Sequence, residues 1–167
     1  MQDNVTRRLS GLMSEREAAA LRPLFESLAD RLSSQATTSA GLVVTATAGH
    51  YVPKTGAVFQ GVANGVPVTI ASGVDMPTLV GGITAGKYNV FCFFIDSASV
   101  VTVAMGQEGA ALANVVFPPF PQKKALVGYI IVTYASAFTG GSTALDTATT
   151  VYVSPTGAFD PTVLLGN

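Results

Sequence analysis

Two patterns of apolar spacing follow one another along the chain. In "SEREAAALRPLFESLADRLSS", Leu21, Leu24, Phe25, Leu28 and Leu32 recur at steps of three and four, which lines them along one face of a helix that turns once every 3.6 residues. Ser14 and Glu17 have the S-x-x-E spacing of a capping box, in which each side chain satisfies an otherwise unpaired backbone N–H at a helix start. Pro23 complicates the pattern, because it lacks an N–H and its ring crowds the preceding turn. The spacing therefore predicts either a kink at Pro23 or a second helix that opens with Pro23 in its first turn.

Beyond Gly41 the pattern changes to that of strands. "LVVTATA" (42–48), "GAVFQGVANGVPVTIASG" (56–73), "KYNVFCFFIDSASVVTVAMG" (87–106) and "KALVGYIIVTY" (124–134) are rich in Val, Ile, Thr, Phe and Tyr and are bounded by Gly, Pro, Asn and Ser. Asn64-Gly65 is a hairpin signal, since both residues tolerate the positive φ angles of a type I′ turn. Pro67 places the strand after that turn at a sheet edge, where a missing N–H costs least. The fold predicted is mainly β: an antiparallel β-sandwich or jelly-roll-like body preceded by an N-terminal helical arm. "SSQATTSAG" (33–41) is small, polar and uncharged and reads as a linker, so residues 1–40 form arm and linker and residues 41–167 the β-rich body.

Composition sharpens this division. A chain of 167 residues suits one compact domain with an appended arm. Only 11% of its residues are charged and 49% are hydrophobic, against roughly 25% charged in an ordinary soluble domain. Asp3, Arg7, Arg8, Glu15, Arg16, Glu17, Arg22, Glu26, Asp30 and Arg31 all fall in the first 35 residues, which leaves nine charges for the rest of the chain. A body with so little charge tends to associate, and large permanent interfaces resemble a domain core cut in half, so the composition predicts an assembly subunit. A net charge of −1 gives no footprint for nucleic acid. The apolar run 125–138 is too short for a membrane span, which needs about 20 residues, and the N-terminus lacks the apolar segment of a secretory signal.

Candidate chemistry is sparse. The lone Cys92, inside "VFCFFI", excludes an intramolecular disulfide and reads as a buried, inert thiol. A single His50 cannot build a zinc cluster, and no G-x-S-x-G elbow accompanies His50, Ser72 and Asp75. Gly140 to Thr143 lacks the lysine of a phosphate loop. Asp75, Asp96, Glu108, Asp146 and Asp160 are the acids of the body, and their spacing selects no glycosidase pair. The residues name no enzyme, cofactor or metal site, and the apolar stripe Leu21, Leu24, Phe25, Leu28 and Leu32 either packs on its own body and completes the core there or is the candidate partner-binding surface.

The succession "YNVFCFFIDSASVVTVAMGQEG", "VVFPPFPQKKALVGYIIV" and "FTGGSTALD" resembles a pattern in small virion structural proteins of tailed bacteriophages. There a strand pair is followed by P-x-x-K-A-x-x-G-Y and then by a G-G-[ST]-T-A-L-D turn. The resemblance covers residues 87–150. Within it Pro118, Pro119 and Pro121 stiffen the approach to a strand, Gly128 permits close backbone approach, Leu145 plugs the core, and Asp146 is expected to satisfy turn amides. The resemblance implies a non-enzymatic capsid decoration (cement) or head-fibre protein. Such a protein would be a homotrimer on the capsid surface, made in the host cytoplasm, with itself and the major capsid protein as partners and with no cofactor, nucleic acid or membrane. A tail, baseplate or fibre-adaptor protein shares the same strand pattern, and a carbohydrate-binding module is the remaining alternative.

Overall fold

The computed structural model describes residues 15–44 and 50–159. Ser14 of the expected capping box lies outside them. The chain is mainly β with one described helix at its N-terminal side, and every pairing between its strands is antiparallel. Helix α1 (Glu15–Ser33) is followed by β1 (Gln35–Ala36), β2 (Leu42–Val44), β3 (Pro53–Thr55), β4 (Phe59–Ala63), β5 (Val66–Ile70) and β6 (Gly82–Ile83). Then come β7 (Tyr88–Ile95), β8 (Val101–Met105), β9 (Ala125–Thr133), β10 (Phe138–Thr139) and β11 (Thr149–Val153). Pro23 lies inside a single helix rather than at a boundary between two.

The centre is a four-stranded sheet in the order β11-β9-β7-β8. Its two inner strands are buried almost throughout, because both faces of the sheet are covered. Phe91, Phe93 and Ile95 of β7 join Ile130 and Val132 of β9 against the three-stranded sheet β1-β4-β5, which contributes Phe59, Val68 and Ile70. Val90, Cys92 and Phe94 point the other way, with Leu126 and Tyr129, and are roofed by Phe117, Phe120 and Phe159. The roof is aromatic: Phe117 meets Tyr129 edge-on with ring centres 5.1 Å apart, and Phe120 meets Phe94 in the same way at 5.0 Å. Such edge-to-face pairs add roughly 0.5–1.5 kcal/mol beyond their buried area.

The alternation between faces slips once, in β9. Phe93 pairs with Gly128 and Phe94 with Leu126, so Val127 is an extra residue on one side of the ladder. This is a β-bulge. It shifts the in-out phase, so that Val127 and Ile130, three residues apart, share a core while Leu126 and Tyr129 share the other. Gly128 sits at the bulge because a Cβ there would lie 2.7 Å from both the Val153 carbonyl oxygen and Leu42 Cδ1.

The turn chemistry follows the sequence. Asn64 (φ 52°) and Gly65 (φ 77°) both adopt positive φ in the β4–β5 hairpin, and β5, with Pro67, is an edge strand. The segment expected to be a linker is not one. Gln35 and Ala36 pair with Val62 and Gly61, the Thr37 and Thr38 amides donate to the Gln60 carbonyl at 2.8 and 3.0 Å, and Ala40 is fully buried. Small polar side chains leave this backbone free to pair, so it is stitched into the body as β1. The helix is joined to the sheet without slack: the Gly65 amide donates to the Ser33 carbonyl at 2.8 Å and the Asn64 amide to the Ser34 hydroxyl at 2.9 Å.

Candidate functional site

Among the described residues, Cys92, Ser72, Asp96 and Glu108 are engaged in local structure, while the ring nitrogens of His50 are buried without a hydrogen-bond partner. Cys92 is fully buried among apolar side chains, and burial pushes its thiol far above the usual range, which keeps it protonated and unreactive. His50 is tied to the turn before β11: its carbonyl accepts from the Leu145 amide at 2.8 Å, and its Nδ1 lies 3.4 Å from Asp146 Oδ2. Asp146 therefore faces His50, and among the described residues it accepts no hydrogen bond from a turn amide. The expected amide-capping role fails, because the turn is closed instead by the Thr143 hydroxyl oxygen, which accepts from the Thr139 amide at 3.0 Å. Leu145 is buried in the main core as expected. The Ser72 hydroxyl donates to the Gly56 carbonyl at 3.0 Å and His50 faces Asp146, so among the described residues no hydrogen bond links His50, Ser72 and Asp75 into a relay.

The acids do not converge either. Asp96 accepts the Ala98 and Val100 amides, both at 3.0 Å, and so closes the β7–β8 turn. Glu108 accepts from Lys87 Nζ at 2.6 Å and from the amide and hydroxyl of Thr84, both at 2.8 Å. The hydrogen bond from Lys87, aided by those from Thr84, pulls its carboxyl down to about 2. Asp160 lies outside the described residues. Among the described residues no group of three or more His, Cys, Asp or Glu side chains could hold a metal ion, and no helix is long and apolar enough to cross a membrane.

What stands out is the orientation of α1. An amphipathic helix normally turns its apolar stripe toward its own domain. Here the opposite holds. Leu24 is 65% exposed, Phe25 47%, Leu28 54% and Leu32 58%, and Leu21 is half-buried. The side facing the body carries Pro23, Glu26, Ser27, Asp30 and Ser33, which form one wall of an open cleft of about 890 Å³. The other wall is the stretch from Val116 to Lys124 together with Phe159. Asp30 crosses this cleft, accepting the Lys123 amide at 2.9 Å through Oδ1. Arg22 and Glu26 pair along the helix at 3.0 Å with both side chains exposed, a contact worth little in water.

The stripe predicted from sequence is thus assembled on one helix face, and the described residues of the body leave it exposed from Leu24 to Leu32. Complete burial of a Leu or Phe stabilises by ~1.5–3 kcal/mol, so side chains still about half exposed retain roughly 1 kcal/mol each for a partner to realise. Sequence periodicity located the face. It carried no signal of the polar tether, since Asp30 and Lys123 are 93 residues apart. No protein-family model matches the chain, and no curated protein or solved structure matches it.

Proposed function

We propose that this chain is a non-enzymatic virion structural protein: a trimeric capsid cement, or decoration, protein that binds and stabilises an assembled phage head. The association half of this reading rests on one observation, the outward-facing apolar stripe Leu24, Phe25, Leu28 and Leu32 on a helix whose polar face is tethered to a body with its own complete core. A charge content of 11% supports the same conclusion, because a surface so poor in charge favours association. The virion half rests on the resemblance carried by residues 87–150. Cement proteins need no reactive group. A ligand that binds only the assembled shell shifts the equilibrium toward it by mass action.

The test is co-sedimentation with decoration-free heads and with unassembled capsid subunits. The expected outcome is saturable binding to heads, negligible binding to free subunits and a higher disruption temperature for decorated heads. Heads that neither bind the protein nor gain thermal stability would sink the reading.

A further inference from the structure

We infer that the outward stripe of α1 is the seam of a parallel, in-register three-helix bundle, whose other two strands are the same helix in two further copies of this chain. The inference rests on reading the chain as a multi-copy structural protein, and it names the partner of that surface.

Three observations carry it. Leu21, Phe25, Leu28 and Leu32 follow one another at steps of four, three and four, the spacing that keeps a seam facing a partner helix over successive turns. With Leu21 and Leu28 at d and Phe25 and Leu32 at a, Leu24 falls at g. Three apolar positions in seven make a face wider than a two-stranded seam requires and suited to a bundle. The outermost heptad position, f, is taken by Pro23 and Asp30, which line the cleft toward the body. The hydrogen bond from the Lys123 amide to Asp30 therefore presents positions a and d away from the body, where another copy can reach them.

Charge selects the direction. In a parallel bundle a g residue of one helix stands opposite the e residue five places later in its neighbour. Within α1 this sets position 24 opposite position 29, Leu against Ala, an apolar pair in which no like charges meet. An antiparallel arrangement would instead set g against g, which opposes Leu24 to Arg31. In the parallel form all three bodies also lie at corresponding positions along the bundle, since each helix runs directly into β1 through Ser34.

The test uses full-length protein carrying single cysteines at Leu21→Cys, Leu32→Cys or, on the cleft side, Ser27→Cys. Each is oxidised with copper–phenanthroline and resolved on a non-reducing gel, and wild-type mass is measured by light scattering. Native Cys92 is buried in the core, so it does not compete. A trimer in solution is expected. Leu21→Cys alone and Leu32→Cys alone should each form interchain disulfides about tenfold or more faster than Ser27→Cys, because like positions meet within disulfide reach in a parallel seam. Disulfides that form only when Leu21→Cys and Leu32→Cys are mixed would show antiparallel helices and overturn the proposal. A monomeric wild type, or Ser27→Cys reacting as fast as the seam positions, would overturn it equally. Continued protection of Cys92 from a thiol reagent shows that a variant's body is folded. Crosslinked trimers that ignore decoration-free heads would defeat the cement reading and leave the seam standing, whereas head binding by a strict monomer would do the reverse.

Discussion

Strand β9 and helix α1 both carry a run of large apolar side chains, yet the chain treats them oppositely. β9 is covered on both faces, by the β1-β4-β5 sheet on one side and by the aromatic roof of Phe117, Phe120 and Phe159 on the other. Among the described residues nothing covers Leu24, Phe25, Leu28 and Leu32 of α1, and the helix turns its polar side toward the cleft. Hydrophobicity alone therefore does not say where a residue is buried. The difference lies in what holds each element in place: ladder hydrogen bonds along two neighbouring strands for β9, and for α1 one carboxylate–amide bond across an open cleft together with contacts at its C-terminal end.

The largest effect should separate these two kinds of apolar residue. Phe93→Ala empties a fully buried site between the sheets and should lower unfolding free energy by ~3–5 kcal/mol in urea titrations. Leu24→Asp combined with Leu28→Asp should shift the unfolding of the body, measured at concentrations too low for association, by no more than ~0.5 kcal/mol. On the proposed reading, wild type gains mass with concentration in light scattering and the same pair of substitutions abolishes that gain. If the double variant destabilises the isolated body as much as Phe93→Ala does, the contrast between the two regions collapses.

A smaller loss is expected at the bulge. Gly128→Ala must displace both the Val153 carbonyl and Leu42, with contacts of 2.7 Å to each, and should cost ~1–3 kcal/mol by thermal or urea melting. Smaller again is the tether. Asp30→Ala removes the acceptor of the Lys123 amide and should cost ~1 kcal/mol, with faster hydrogen exchange at Lys123 and at the β1 amides while those of β7 and β9 stay unchanged. Exchange quickening equally in β9 would mean that helix and body are one cooperative unit rather than two.

The mildest effect depends on pH. Because the folded state holds Glu108 below its ordinary value of 4.5 at about 2, its contribution is fully present above pH 4.5 and is lost as pH falls toward 2. Melting temperatures of wild type and Glu108→Gln should therefore differ at pH 6 and converge by about pH 2. A gap that persists unchanged at pH 2 would show that the Lys87–Glu108–Thr84 contacts act through packing rather than through charge.

The parts of this molecule that were legible in its sequence are those encoded locally. The strand character of 124–134, the turn at Asn64-Gly65, the edge position of Pro67 and the stripe of α1 each follow from residues within a few places of one another. What was illegible depends on distant partners. Residues 33–41 read as a linker because their side chains give no sign that their backbone pairs with β4. The pairing of His50 with Asp146 joins residues far apart in the chain, which is why Asp146 was expected to serve the turn amides. The inward polar face of α1 is of the same kind: periodicity defines a face, and only the folded body determines which way it points.

The tether has a consequence in time. Asp30 is synthesised 93 residues before the Lys123 amide that holds it, which at 5–20 residues per second is a wait of roughly 5–20 s. The helix thus leaves the ribosome well before the residue that holds Asp30, and in that interval only the contacts of Ser33 and Ser34 with the β4–β5 hairpin can fix its C-terminal end. Asp30 cannot hold the stripe in its final orientation until the loop ahead of β9 has emerged. Asp30 can be seated before β9, β10 and β11 exist, so in the growing chain the polar contact across the cleft precedes closure of the central sheet.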